Sequence, residues 1–304
     1  MTAPRTAFVL GGGGILGATQ IGMLRALLER DLRPDLVLGT SIGAVNGAFL
    51  AADPTLAGLT RLSGVWADLA GGAPALAGRE PSAARGRRLT RPRTSASDGE
   101  TAADVRRERR GRSRRPGRRV PMHLYPPGRF LRMLRHHLPV EEFGELAVPF
   151  QCVAASVERS VAHWFSAGPI APAVLASCAV PGIFPPIQVG DEHFLDGGLV
   201  HSIPVGRAVA LGAERIFVLH VGRVEQPLEV PRWPWEVAQV TFEIARRHRY
   251  VEEMASLPDD VEVHALPSGA DDAPTVSFLH ANERYVSRRV EAAYDAAGRY
   301  LDRR

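Results

Sequence analysis

The 304-residue chain contains no lysine, so all 37 of its Lys-or-Arg positions are arginines. Cysteine is nearly absent as well. Cys152 and Cys178 stand far apart among apolar neighbours, without the spacing of metal ligands. A disulfide framework and a zinc site are thereby excluded, and two buried, reduced thiols are expected. No apolar run reaches the length of about eighteen residues that a membrane-spanning helix needs. Met1–Arg5 leads straight into a short apolar run that ends in glycines. A signal peptide would instead show a longer apolar core and a small-residue cleavage site, so a cytoplasmic address is the expectation.

Hydrophobic residues make up 45% of the chain, enough for a sizeable core. The net charge of +4 is unevenly spread: residues 73–120 hold fifteen Arg against five acidic residues, or +10, which leaves −6 for the rest. This Arg-, Pro-, Gly- and Ser-rich segment lacks apolar periodicity and is predicted to be a disordered insertion. It has no interleaved aromatics and no amphipathic face, so no specific nucleic-acid binding is expected. Charge alone would still draw it to an anionic membrane surface.

Around that insertion the pattern alternates. Thr6–Leu10 reads as a strand, Gly11–Gly14 as a loop, Ile15–Arg30 as a helix, Leu36–Leu38 as a strand, Gly39–Gly43 as a sharp turn and Ile42–Ala52 as a helix. Later helices are predicted at 128–137, 170–179, 235–257 and 279–302. Later strands are predicted at 150–157, at 161–165 as a hairpin partner, and at 215–221. Strand–helix alternation argues for an α/β fold, a three-layer α/β/α sandwich with a mainly parallel central sheet, formed by one domain spanning residues 1–304.

Three motifs carry chemistry. Gly39-Thr40-Ser41-Ile42-Gly43 fits G-x-S-x-G between a strand and a helix, the context in which a serine is exposed on a tight turn. Glycines must flank it, because side chains would collide there. Gly11–Gly14, with Gly17, form a second motif whose bare N–H groups suit an oxyanion or a phosphate. The same stretch also fits G-x-G-x-x-G through Gly12, Gly14 and Gly17. A dinucleotide site would need an acid at the end of the next strand, whereas Asp35 precedes that strand. The third motif, Asp196-Gly197-Gly198, is a plain turn in isolation and a candidate base beside the other two.

With these three motifs in this order, the chain resembles the patatin-like phospholipase family. The block Ala176-Ser177-Cys178-Ala179-Val180-Pro181-Gly182-Ile183-Phe184-Pro185-Pro186 is similar to one that family carries. The resemblance covers about residues 6–72 and 121–220. It implies a Ser–Asp dyad: Ser41 as nucleophile on an elbow framed by Gly39 and Gly43, Asp196 as general base, and Gly12, Gly13 and Gly14 as the oxyanion hole. It implies no metal and no cofactor, a lipid acyl-ester substrate, and transient contact at the membrane periphery. The Phe150–Val157 strand and the 176–186 block would help wall the acyl pocket. Two departures stand out. Leu16 occupies a loop position where the family often has a basic residue, and His201 and Ser202 stand where it often has Asn beyond the Asp-Gly-Gly turn.

A Ser-His-Asp triad is the enzymatic rival, with His220, His248, His264 and His280 available, although His248 lies in the basic run Arg246–Arg249. That fold places several strands before its nucleophile, and here one precedes Ser41. A non-catalytic or regulatory lipid- or membrane-binding protein on the same fold is the rival from another class.

Overall fold

A computed structural model of the chain describes residues 5–71, 127–221, 227–269 and 283–303. The insertion predicted at 73–120 lies outside the described residues. Among the described residues eight strands form one sheet: β1 (Thr6–Leu10), β2 (Leu36–Thr40), β3 (Phe150–Ser156), β4 (Val161–Phe165), β5 (Ile187–Val189), β6 (Glu192–Asp196), β7 (Arg215–Leu219) and β8 (Glu262–Ala265). The helices are α1 (Thr19–Leu28), α2 (Ile42–Ala52), α3 (Leu56–Gly71), α4 (Pro127–His137), α5 (Ile170–Ser177), α6 (Val205–Ala210), α7 (Pro234–Ala255) and α8 (Glu283–Leu301).

The sheet is parallel through its centre, where β8, β7, β1, β2 and β3 pair in turn, and antiparallel beyond, where β3 pairs with β4 and β6, and β6 with β5. Its central strands are covered on both faces, as parallel strands require, and so read as unbroken apolar runs. Alternate residues of a strand point to opposite faces, and the two cores divide on that rule. Phe8, Leu10, Val37, Phe217 and Leu219 join the core beneath α1, α2, α3, α5 and α8. Ala7, Val9, Leu36, Leu38, Ile216 and Val218 join the one beneath α6 and the C-terminal end of α7. The arrangement is the three-layer α/β/α sandwich that the sequence indicates.

Gly22 on α1 lets α8 approach closely, since a Cβ there would lie 2.1 Å from the Val290 carbonyl oxygen. Helix α7 mixes charged and apolar residues on both of its sides. Its inward face carries the buried Glu243 and Arg246, while Val237, Ile244 and Val251, seven residues apart, are 49%, 54% and 59% exposed. Among the described residues no helix is long and apolar enough to cross a membrane.

Several elements escape the sequence pattern. Helix α3 is not anticipated, and the helix expected over 15–30 begins as a 3-10 turn at Gly14–Ala18 before α1 proper. Strands β5 and β8 carry too few residues for an alternation to show, and β6 shows only the apolar pair Phe194-Leu195.

Candidate active site

Strand pairing brings Ser41 and Asp196 face to face. β2 pairs with residues 150–153 of β3, and β6, running the other way, pairs with residues 154–156. β4 occupies positions 152–156 on the opposite edge. The C-terminal ends of β2 and β6 therefore meet head-on along one edge of β3, Thr40 against Val153 and Asp196 against Ala154. Ser41 and the Asp196-Gly197-Gly198 turn follow directly.

Ser41 sits at φ 55, ψ −124, a left-handed conformation that a residue bearing a Cβ rarely adopts. Two sets of contacts hold it there. Its carbonyl accepts from Ala44 N at 2.8 Å and Val45 N at 3.3 Å, which opens α2. Its own N–H donates to Ser177 Oγ at 2.9 Å, and that hydroxyl donates to Val153 O at 2.6 Å. Ser177 thus ties the serine turn to β3. The flanking glycines answer to contact as well as to conformation: a Cβ on Gly43 would lie 2.1 Å from Leu10 O, and one on Gly39 2.5 Å from Gly43 O.

Asp196 is fully buried. Its N–H donates to Ala179 O at 2.9 Å, and its Oδ1 accepts from Gly198 N at 2.7 Å. Gly197 is required because a Cβ would lie 2.2 Å from Val153 O. Oδ2 is buried and completes no hydrogen bond of normal geometry, although the Ser41 hydroxyl is near enough to favour the ionised carboxylate. Burial pushes the carboxyl up to about 7, and the Ser41 hydroxyl, the Gly198 N–H and the Arg246 charge only partly offset it.

The glycine loop leaves β1 beside this pair. Gly11 N donates to Leu219 O at 3.2 Å and Gly12 N to Ser202 O at 3.0 Å. Among the described residues the N–H groups of Gly13 and Gly14 make no such backbone bond. Gly12 has a different constraint, since a Cβ there would stand 3.2 Å from Ser41 Cβ. A Cβ on Gly13 would meet Val221 Cγ2 at 2.0 Å, so any side chain there would displace Val221. Ser202 and His201, at the positions where the sequence departs from the family pattern, hold the loop and the serine turn by their backbones: Ser202 O receives Gly12 N, and His201 O receives Thr40 Oγ1 at 2.8 Å.

A buried chain of amides fixes the loop from below. Trp66 Nε1 donates to Asn46 Oδ1 at 2.9 Å. Asn46 Nδ2 donates to Gln20 Oε1 at 2.7 Å and Gly17 O at 3.0 Å, and Gln20 Nε2 donates to Gly11 O at 2.9 Å and Leu219 O at 2.8 Å. Asn46 and Gln20 are both fully buried, so satisfied amides are what make them tolerable there.

Of the four candidate triad histidines, His220 follows β7 beside the glycine loop, where a Cβ on Gly11 would lie 3.7 Å from its Cα. His248 pairs with Glu252 on an exposed turn of α7, and His264 pairs with Glu262 while its ring stacks on Phe217. His280 lies outside the described residues. His201 Nδ1 is 2.6 Å from Glu253. Both cysteines are free and buried, and burial raises both thiols far above their ordinary range. Among the described residues no cluster of three or more His, Cys, Asp or Glu could hold a metal ion.

Comparison with known proteins places these elements. The family model described as patatin-like phospholipase matches residues 8–209. Lysophospholipase nte1 of Aspergillus terreus (strain NIH 2624 / FGSC A1156) is 30% identical over 218 residues, covering 71% of this chain and 12% of that protein. Lysophospholipase nte1 of Emericella nidulans matches with the same identity and coverage. The chain thus spans about an eighth of the length of these relatives. Among solved structures, VipD from Legionella pneumophila matches with a TM-score of 0.48 and 16% identity, covering 99% of this chain and 67% of that one. The match over 8–209 takes in the glycine loop, the serine turn and the Asp-Gly-Gly turn together, and the chain belongs to the patatin-like phospholipase family.

Proposed function

We propose that this chain is a serine acyl hydrolase that cleaves carboxylic esters of lipids through a Ser41–Asp196 dyad. One observation carries the reading: a buried carboxylate oxygen without a completed hydrogen bond lies beside a serine held at positive φ. Strain and an incompletely satisfied buried acceptor are both costly and persist where function needs them.

The Ser41 hydroxyl attacks the ester carbonyl as its proton passes to Asp196 Oδ2. With its pKa near 7, Asp196 is poised to take up and return a proton around neutral pH. The tetrahedral oxyanion is met by the N–H groups of Gly13 and Gly14. Gly12 adds close approach, because its own N–H is engaged by Ser202 O. In comparable sites one such donor contributes about 2.7–4 kcal/mol. The intermediate collapses, and the leaving alcohol takes the proton from Asp196. Asp196 then deprotonates a water that attacks the acyl-Ser41 ester, and the fatty acid leaves as Ser41 regains its proton. The relatives' name, lysophospholipase, makes a single-chain phospholipid the first substrate to try.

A lipid substrate sets the protein at a membrane periphery, and the outer face of α7 suits that contact. Trp233 stands at its N-terminal end, Val237, Ile244 and Val251 run along it, and Arg232 and Arg249 are exposed beside them. Replacing Ile244 with Glu should weaken co-sedimentation with anionic vesicles while leaving turnover of a soluble ester unchanged. Unaltered vesicle binding would remove α7 from this role.

The deciding experiment is hydrolysis of a short p-nitrophenyl ester and of lysophosphatidylcholine by the wild type, Ser41→Ala and Asp196→Asn. Loss of nearly all turnover in both variants supports the dyad. A wild type inert on every ester would favour a non-catalytic lipid-binding protein, and an active Asp196→Asn would refute the base assignment.

A further inference from the structure

The loop 11–18 contains no charged side chain, and Leu16 is buried in its middle. Acyl transfer moves negative charge from the Asp196 carboxylate to the oxyanion in a water-poor site, where a fixed positive charge aimed at the loop stabilises it. A buried cation stands behind the loop. Arg246, on the inward face of α7, is 5% exposed. Its Nη1 approaches the Gly12 carbonyl oxygen at 3.5 Å, long for a hydrogen bond but close enough for charge to act on the peptide dipole. Glu243 grips it with two bonds, Nε to Oε2 at 2.8 Å and Nη2 to Oε1 at 2.5 Å, and Arg247 Nε adds a third to Glu243 at 3.0 Å. Arg246 and Arg247 thus both bond Glu243, and burying the Arg246–Glu243 pair carries a desolvation cost.

We propose that Arg246 is a positioning residue for acyl transfer, orienting the glycine loop through the Gly12 carbonyl and bringing to the site, from the C-terminal half of the chain, the positive charge the loop itself lacks. This role rests on the Ser41–Asp196 reading above. Gly12 is held from both ends of its peptide chemistry, its N–H by Ser202 O and its carbonyl by Arg246, which fixes where the following N–H groups point. Arg246 also acts on Asp196 through space and favours its ionised form. The other titratable and charged groups facing Asp196 are the Ser41 hydroxyl from the turn after β2 and the Cys178 thiol beyond α5. β3 and β5 bring no titratable group except the buried Cys152 thiol. Glu243 is the opposing charge. Burial would raise its carboxyl, but its bonds to Arg246 and Arg247 outweigh that and hold it low and ionised.

The test uses opposite signs. Arg246→Met removes the cation and leaves Glu243 facing the site, so the acid limb of the kcat/KM–pH profile on a soluble ester should move to higher pH by roughly one pH unit. kcat should fall about tenfold or more with KM little changed. Glu243→Gln removes the anion, so the limb should move to lower pH. Arg246→Lys should return the limb most of the way to the wild-type position. A purely structural pair would lower activity in both variants and leave the limb in place, and that result overturns the proposal. If Arg246→Met does not fold, Glu243→Gln and Arg246→Lys still decide it, because a limb unmoved in Glu243→Gln refutes the charge role. Ser41→Ala and Asp196→Asn run in parallel, so an active Asp196→Asn marks failure of the dyad itself rather than of Arg246.

Discussion

Asp196→Asn should abolish catalysis and stabilise the fold, and the stabilisation should depend on pH in a calculable way. The carboxyl is raised from 3.8 to about 7 by burial. Below about pH 4 both folded and unfolded states hold the proton, and the residue contributes nothing to the pH dependence. Between about pH 4 and 7 the unfolded chain releases the proton while the folded chain keeps it. Stability therefore falls as pH rises across that window, then levels above pH 7. At about 1.36 kcal/mol per pH unit, the loss attributable to this one carboxyl is about 4 kcal/mol. Asparagine does not titrate, so the variant escapes that loss. Its amide oxygen can keep the Gly198 N–H, and its NH2 can donate to Ser41 Oγ, which limits the penalty for a newly orphaned group to about 1–3 kcal/mol. Urea unfolding of wild type and variant at a series of pH values isolates the effect, because every other titrating group cancels in the difference. The gap should swing in favour of Asn by about 4 kcal/mol between pH 4 and pH 8. A gap that stays flat over that range would show that the carboxyl titrates normally, and the assignment of a base tuned by burial would fall with it.

Asn46→Ala should cost about 2–4 kcal/mol in urea unfolding, because it orphans the buried Trp66 N–H and Gln20 Oε1 together. Loss of ester turnover in the folded fraction should accompany it, and unchanged turnover would show that the glycine loop holds its shape without the amide chain. Gly22→Ala should lower the melting temperature despite alanine's better helix propensity, because the added Cβ would lie 2.1 Å from Val290 O. The destabilisation should be about 1–3 kcal/mol, against a gain of about 1 kcal/mol at an open helical site. Cys152 and Cys178 should stay silent to a thiol reagent in the native protein at pH 8 and react together in denaturant. Rapid labelling of the folded protein would contradict their burial.

Much of this was legible locally. G-x-S-x-G between a strand and a helix defines the serine turn, since only a residue flanked by glycines can make so sharp a bend with β1 this close to Gly43. The apolar runs of β1 and β2, the three- and four-residue spacing of Ile21, Leu24, Leu27 and Leu28 in α1 and the small residues of α2 gave the alternation from which a parallel sheet follows. Helix α3 and strands β5, β6 and β8 were missed. The three strands are held by pairing with neighbours rather than by any pattern of their own, and β6 shows only the apolar pair Phe194-Leu195.

Outside α3, β5, β6 and β8, the sequence alone determined what kind of element each segment forms, because backbone conformation and side-chain periodicity act over a few residues. It named Ser41, Asp196 and the glycine loop by residue type and order. Tertiary structure decided what meets what. β2 and β6 converge on one edge of β3, which sets a serine against an aspartate 155 positions later. Ser177, lying in a block read only as a family likeness, proves to be the clamp on the serine turn. Arg246 sits in the basic run Arg246–Arg249, yet it is buried because it lies on the side of α7 that meets the glycine loop, whereas Arg249 is exposed. Residues far apart in sequence are brought together by burial and strand register, and no local pattern encodes the energy of that contact.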